Sequence, residues 1–120
     1  MTKILLVEDN EMNRDMLSRR LQRHGYSVVT AHDGREGLAM ASSETPDLIL
    51  MDIGLPEIDG HEVARRLKNN KSTCHIPIVA LTAHAMVTDR EKAFQSGCDG
   101  YQTKPVEFAT LCKAIDQLLV

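Results

Sequence analysis

Residues 47–60 read DLILMDIGLPEIDG, an apolar run followed by an acid, a Leu-Pro break and an Asp-Gly turn. The run Leu48–Met51 is short and bounded by turn residues, which is typical of a buried β-strand. Ligands of open α/β sheets bind in the crevice at the carboxyl ends of the strands. Asp52 lies where this strand ends. It therefore fits a binding or catalytic role, and it fits equally well a cap of the following turn or helix.

Four more short runs indicate further strands on either side of this one. Together the predicted strands are Ile4–Val7, Ser27–Ala31, Leu48–Met51, Ile76–Leu81 and Gly100–Thr103. The continuous hydrophobicity of Ile4–Val7 favours a parallel strand that is covered on both faces, whereas Gly100–Thr103 is a short and weak strand signal.

Helical patterns occupy the segments between the strands. Asn10, Asp33 and Thr88 are predicted N-caps, the last two within capping-box patterns, and Gly25 and Gly97 are predicted helix stops. The first helix has apolar residues at helical spacing, namely Met12, Met16, Leu17 and Leu21. We expect its methionines to fill the core rather than to form a binding surface. The last helix has a longer stripe of this kind: Phe108, Leu111, Cys112, Ile115, Leu118 and Leu119.

The alternation of five strands with five helices predicts an α/β fold, a doubly wound parallel sheet with helices on both faces. A chain of 120 residues is expected to form a single domain, residues 1–120.

The composition excludes several classes of protein. A net charge of −3 does not suggest nucleic acid or an anionic membrane as a partner. Cys74, Cys98 and Cys112 are too far apart for a zinc site, and reduced thiols fit a cytoplasmic protein. Met1-Thr2-Lys3 runs straight into a predicted strand, so we expect no signal peptide, and no apolar run is long enough to span a membrane.

Polar residues follow four of the predicted strands at matching places. The first strand ends in Glu8 and Asp9, the third in Asp52, the fourth in Thr82 and the fifth in Lys104. Three neighbouring carboxylates repel one another unless a cation intervenes, and Mg²⁺ is suited to such oxygen ligands. A lysine and a hydroxyl would bind an anion, and aspartate can form an aspartyl phosphate. This set is consistent with phosphoryl transfer, although each residue alone also fits an ordinary cap, strand-end or surface role.

Four motifs occur in the order in which a known family has them: VEDN at 7–10, MDIGLPEIDG at 51–60, ALTAHAM at 80–86 and GYQTKP at 100–105. On these motifs the whole chain resembles a response-regulator receiver domain, the phosphoacceptor module of two-component signalling. The stretches VEDNEMN and ALTAHAM are especially similar to receivers of hybrid kinases and phosphorelays. The resemblance implies a flavodoxin-like sheet with strand order 2-1-3-4-5.

The resemblance also implies roles for the residues at the strand ends. Asp52 would be the phosphorylated residue, and Thr82 and Lys104 would bind phosphoryl oxygens. The ligands of Mg²⁺, or of Mn²⁺ in its place, would be Asp9, Asp52 and the backbone carbonyl of Gly54, with Glu8 acting on the ion directly or through a water.

The resemblance implies roles for three further positions, Tyr101, His84 and Pro105, and a second role for both Thr82 and Gly54. Thr82 and Tyr101 would form the switch, Gly54 and His84 would tune the lifetime of the phosphoryl group, and the bond before Pro105 would be cis. The partners would be a sensor histidine kinase or histidine phosphotransfer protein, and a downstream protein that reads the face formed by the fourth helix, fifth strand and fifth helix. No output domain follows the last helix, so we expect signalling through protein contacts unless the chain is part of a longer protein.

Three other functions are compatible with parts of the pattern. A flavin-binding protein of the same fold class requires a hydroxyl- and glycine-rich loop after the first strand, where this chain has Glu8-Asp9-Asn10, and aromatic content is only 3%. An aspartate-nucleophile phosphatase has its nucleophile on the first strand and a second acid two residues later. That place holds Gly54 after Asp52, and Glu11 after Asp9. A degenerate receiver that acts only as a protein-binding module, without phosphorylation, would not need the intact set of acids, hydroxyl and lysine.

Overall fold

The computed structural model describes residues 1–83 and 87–119. Within them, five strands alternate with five helices. The elements are β1 Lys3–Val7, α1 Glu11–Arg23, β2 Ser27–Ala31, α2 Gly34–Ser43, β3 Leu48–Asp52, α3 Gly60–Lys68, β4 Ile78–Thr82, α4 Val87–Gln95, β5 Gly100–Thr103 and α5 Phe108–Leu118. All strand pairs are parallel, and the sheet order is β2-β1-β3-β4-β5. The predicted fold class and strand order are confirmed.

The core consists of two apolar layers, one on each face of the sheet. Leu5 and Val7 of β1 belong to the layer that packs against α2 and α3, whereas Ile4 and Leu6 belong to the layer with α1 and α5 residues. Successive residues of a strand point to opposite faces, so a continuous apolar run supplies both layers at once. β1 and β3 are interior strands of the sheet, so the acids that follow or end them are held by strands with a neighbour on each side.

Two predicted boundaries differ from the structure for local reasons. β4 begins at Ile78 rather than Ile76, because Pro77 has no N–H and the N–H of Ile76 donates instead to the carbonyl of Thr73 (3.0 Å). α4 begins at Val87, so Thr88 lies inside the helix and is not its N-cap. The predicted caps Asn10 and Asp33 are confirmed, with side chains that accept from the N–H groups of Asn13 and Glu36.

The expectation for the methionines of α1 is wrong. Met12 and Met16 are 76% and 55% exposed, whereas Leu21 is fully buried and Leu17 packs against the core. At 3.6 residues per turn, positions 12 and 21 are about two and a half turns apart and therefore lie on opposite sides of the helix. The apolar residues of α1 thus form two stripes, and only the Leu17–Leu21 stripe faces the sheet.

In the described part of the chain, the helices are too short and too polar to cross a bilayer.

Candidate functional site

The carboxyl edge of the sheet brings the predicted site residues together. Glu8 continues β1 by one residue, since its N–H donates to the carbonyl of Ala31 (3.0 Å). Asp52 ends β3, Thr82 ends β4, and Lys104 follows β5 with its N–H on the carbonyl of Thr82 (2.7 Å). The side chains of Glu8, Asp52 and Thr82 are buried, and Asp9 is exposed at the mouth of the site.

Three carboxylates form an oxygen cluster at this edge. Glu8, Asp9 and Asp52 each offer an oxygen, and these atoms all lie within 4.8 Å of one another. The Nζ of Lys104 lies 3.0 Å from Oε1 of Glu8 and 3.3 Å from Oδ1 of Asp52. Hard oxygen donors at this spacing fit Mg²⁺, which binds through a small number of carboxylates and retains waters for its other positions.

The buried acids are strongly unequal in their affinity for protons. Burial, reinforced by a hydrogen bond to Asp52, raises the pKa of Glu8 to about 7, although Lys104 opposes the shift. Burial alone would raise the pKa of Asp52 too, but the hydrogen bond from Glu8 and the charge of Lys104 outweigh it and lower that pKa. The pKa of Lys104 is raised by the two carboxylates, against the effect of burial. The pair therefore holds its shared proton on Glu8, and Asp52 stays ionised with an unprotonated oxygen available for chemistry.

The loop after β3 places backbone groups around Asp52. The N–H of Gly54 donates to Oδ1 of Asp52 (3.1 Å), and a Cβ at Gly54 would meet only that oxygen, at 3.8 Å. Gly60 is far more confined, since a Cβ there would lie 2.4 Å from the carbonyl oxygen of Asp52 and 2.7 Å from Cα of Ile53. The first residue of α3 thus packs directly against the backbone behind Asp52. The sequence predicted Gly60 as the end of a turn and the start of a helix over residues 60–69, but it did not predict this close approach to the backbone of Asp52.

Two of the other predicted positions, Tyr101 and Pro105, are described by the structure. Tyr101 is half-buried on β5 and packs against the layer beneath α3 and α4, and burial raises the pKa of its hydroxyl. The Lys104–Pro105 peptide bond is cis. His84 lies outside the described residues.

One residue that sequence reasoning did not identify also contacts the site. Nη1 of Arg14, on the first turns of α1, donates to the backbone carbonyl of Glu8 (2.9 Å). An arginine near the start of an amphipathic helix is ordinary in sequence, so no pattern in the sequence would have identified it.

Comparisons with known proteins agree with this geometry. The family model described as "Response regulator receiver domain" matches residues 4–116. The polar-differentiation response regulator DivK of Brucella ovis is 41% identical over 120 residues, which cover 99% of this chain and 98% of that protein.

Two solved structures of receiver proteins are also similar to this chain. The chemotaxis protein CheY4 of Vibrio cholerae superposes with a TM-score of 0.93 at 34% identity, with 99% of each chain covered. The receiver domain of a sensor histidine kinase from Pseudomonas aeruginosa, solved with a magnesium ion coordinated in its active-site cleft, has a TM-score of 0.91 at 36% identity, covering 98% of this chain and 97% of that one. The matched motifs, the shared fold and the acidic cluster at its carboxyl edge lead to one conclusion: the chain belongs to the response-regulator receiver family of two-component signalling proteins.

Proposed function

We propose that residues 1–120 form one receiver domain that accepts a phosphoryl group on Asp52 and passes the signal on through protein contacts. The observation that carries this proposal is that three carboxylates and one ammonium group lie together at the carboxyl edge of the sheet. An ionised Asp52 next to a metal-binding cluster and a lysine has the nucleophile, the charge neutralisation and the positioning that phosphoryl transfer requires.

The cation would be held by the carboxylates of Glu8, Asp9 and Asp52 and by the backbone carbonyl of Gly54. The oxygen donor set favours Mg²⁺, with Mn²⁺ as a substitute of similar preference. When bound, the metal ion would offset the negative charge of the carboxylates and of the incoming phosphoryl oxygens. The pseudomonad receiver with magnesium in its cleft supports this assignment by analogy.

The donor in this proposal is a phosphohistidine on a sensor kinase or a histidine phosphotransfer protein. A carboxylate oxygen of Asp52 forms a bond to phosphorus while the phosphorus–nitrogen bond breaks. The electron pair of that bond stays on the imidazole, which takes up a proton. The chain would catalyse only its own phosphorylation and the later hydrolysis, so it acts as a switch rather than as an enzyme with a separate substrate.

Two groups are placed to respond to the new phosphoryl oxygens. The hydroxyl of Thr82 and the ammonium of Lys104 would each form a charge-assisted hydrogen bond, worth about 1.5–3 kcal/mol. A shift from 1% to 99% of an active state requires about 5.5 kcal/mol of differential binding, which two or three such bonds supply. Movement of Thr82 would leave space for Tyr101 to turn inward.

The output of the switch would be the surface formed by α4, β5 and α5. Tyr101 lies on β5, and Val87 and Phe94 of α4 are exposed apolar side chains on the neighbouring helix. A downstream protein that binds this surface would read the position of Tyr101. Gly54 and His84 would set how long the phosphoryl group survives, since in the sequence Gly54 follows Asp52 by two residues and His84 follows Thr82 by two.

The donor protein must cover the mouth of the site to reach Asp52. A groove of about 560 Å³ adjoins this mouth between α1 and the segment after β5, and its lining includes Met16, Leu17, Lys104 and Val106. Met16 is exposed and lines this groove, so a helical donor would find an apolar contact there. With a net charge of −3, we propose partners that are proteins of the cytoplasm and not nucleic acid or membrane.

The test is phosphoryl uptake from acetyl phosphate in the presence of Mg²⁺, followed by intact-protein mass spectrometry. We expect the wild type to take up one phosphoryl group and Asp52→Asn to take up none. Asp15→Asn is the matched control, because Asp15 is exposed and paired only with Arg19 among the described residues. Uptake by Asp52→Asn at the wild-type rate would overturn the assignment, and steady turnover of a phosphate monoester would instead indicate a phosphatase.

A further inference from the structure

The carbonyl of Glu8 lies beyond the end of the β1–β2 ladder. The last pair of that ladder is Val7 with Ala31, and at Asp33 the chain already caps α2. A strand neighbour therefore cannot satisfy the carbonyl oxygen of Glu8, and a half-buried backbone oxygen needs another donor. Within the described residues, the guanidinium of Arg14 provides it at 2.9 Å.

This bond acts on the peptide unit that precedes Asp9. The carbonyl of Glu8 and the N–H of Asp9 belong to one planar peptide unit. An arginine that fixes the oxygen therefore also fixes the plane from which Asp9 departs. Asp9 is exposed, whereas the side chain of Glu8 is anchored by Lys104 (3.0 Å) and by the N–H of Asn10 (3.3 Å). The more exposed acid of the cluster thus depends on its backbone for its position.

We propose that Arg14 is a positioning residue that orients the Glu8–Asp9 peptide so that both carboxylates face one divalent cation. The inference rests on the proposed function, since it assigns a residue to the same metal site. Arg14 does not touch the cation; it acts through the backbone of its ligands. Contacts of this kind around metal ligands typically alter affinity by about 10–100-fold.

Removal of Arg14 should change the affinity for Mg²⁺ in opposite directions, depending on whether Arg14 positions the ligands or acts only through its charge. A positive charge near a cation site repels the cation, so its removal should tighten Mg²⁺ binding if charge alone matters. If Arg14 positions the ligands, its removal should weaken binding. Arg14→Met tests the difference, and Arg19→Met is the control, because Arg19 is an exposed arginine of the same helix bonded only to Asp15 among the described residues.

Two measurements on the full chain decide the question. Isothermal titration with MgCl₂ should show Arg14→Met binding about tenfold more weakly than wild type and Arg19→Met within about twofold. Amide hydrogen exchange in metal-free buffer should be faster at Asp9 and Asn10 in Arg14→Met but unchanged in Arg19→Met.

Equal or tighter Mg²⁺ binding by Arg14→Met would overturn the proposal, and so would equal weakening in both variants. Weaker binding with unchanged exchange at Asp9 would overturn it as well, because the loop would then not depend on the arginine. If the wild type bound no Mg²⁺, the metal site in the proposed function would fail, while the exchange measurement would still decide whether Arg14 holds the loop.

Discussion

Replacement of Glu8 by glutamine should stabilise the metal-free protein at neutral and alkaline pH. Glutamine mimics the protonated acid: its N–H₂ can donate to Asp52, and its oxygen can still accept from Lys104. The substitution therefore removes the ionised form of Glu8, which burial and the charge of Asp52 disfavour.

The magnitude follows from the pKa of Glu8, which rises from an ordinary value of 4.5 to about 7 in the folded protein. Each tenfold change in the proton equilibrium corresponds to about 1.4 kcal/mol, so ionised Glu8 lowers the free energy of unfolding by roughly 3 kcal/mol. A raised pKa means that the folded state binds the proton more tightly than the unfolded state. The stabilising contribution is thus fully present below pH 4.5 and is lost as the pH rises to about 7.

The assay is urea unfolding in EDTA, followed by circular dichroism because the chain has no tryptophan. The two proteins should have similar free energies of unfolding at pH 4.5. The difference should grow to roughly 3 kcal/mol in favour of Glu8→Gln at pH 8. Glu11→Gln, a change of an exposed acid in the first turn of α1, should stay within about 0.5 kcal/mol of wild type throughout.

A Glu8→Gln variant that is no more stable than wild type at pH 8 would refute this account of the acid pair. Mg²⁺ provides a second check, because a cation stabilises whichever folded protein binds it. Saturating Mg²⁺ should raise the stability of the wild type much more than that of Glu8→Gln. The advantage of the variant should then shrink or reverse.

Three further predictions concern the surroundings of the site. Lys104→Met should slow phosphoryl uptake by Asp52 from acetyl phosphate about 10–100-fold, since one charge-assisted bond is lost; an unchanged rate would contradict the role of the lysine. Gly60→Ala should lower the urea-unfolding free energy by about 1–3 kcal/mol, because its Cβ would meet a backbone oxygen at 2.4 Å, whereas Gly54→Ala should change it by less than about 0.5 kcal/mol. Burial lowers the pKa of His61, so its stabilising contribution is complete above pH 6.5 and is lost at lower pH; His61→Phe should flatten this part of the pH–stability curve, and an unchanged curve would contradict the assignment.

The sequence was sufficient to predict the fold because each local signal agreed with the next. Apolar runs of four to six residues alternated with capped helices, and this combination fits few architectures other than a doubly wound parallel sheet. Errors occurred where one signal stood alone. Thr88 had a capping-box pattern but lies within α4, and the stripe of α1 was treated as continuous although positions 12 and 21 face opposite ways.

The site was predicted less completely, because strand ends are visible in a sequence and side-chain contacts are not. The positions of Glu8, Asp52 and Lys104 follow from where their strands end. The close approach of Gly60 to the Asp52 carbonyl and the bond from Arg14 to Glu8 depend on how helices lie against loops. Such packing depends on the tertiary structure, and it leaves no regular spacing of residues in the sequence.

The two-sided character of α1 has a consequence for how the chain can diverge. The helix is anchored to the sheet through Leu17 and Leu21, while Met12 and Met16 are exposed, and Met16 lines the groove beside the site. Substitutions at the outer positions would cost little folding free energy and would change the surface that a donor meets. The residues that contact a donor protein can therefore change while the buried residues of the fold stay the same. Duplicated copies of such a chain could acquire separate donors without first gaining stability.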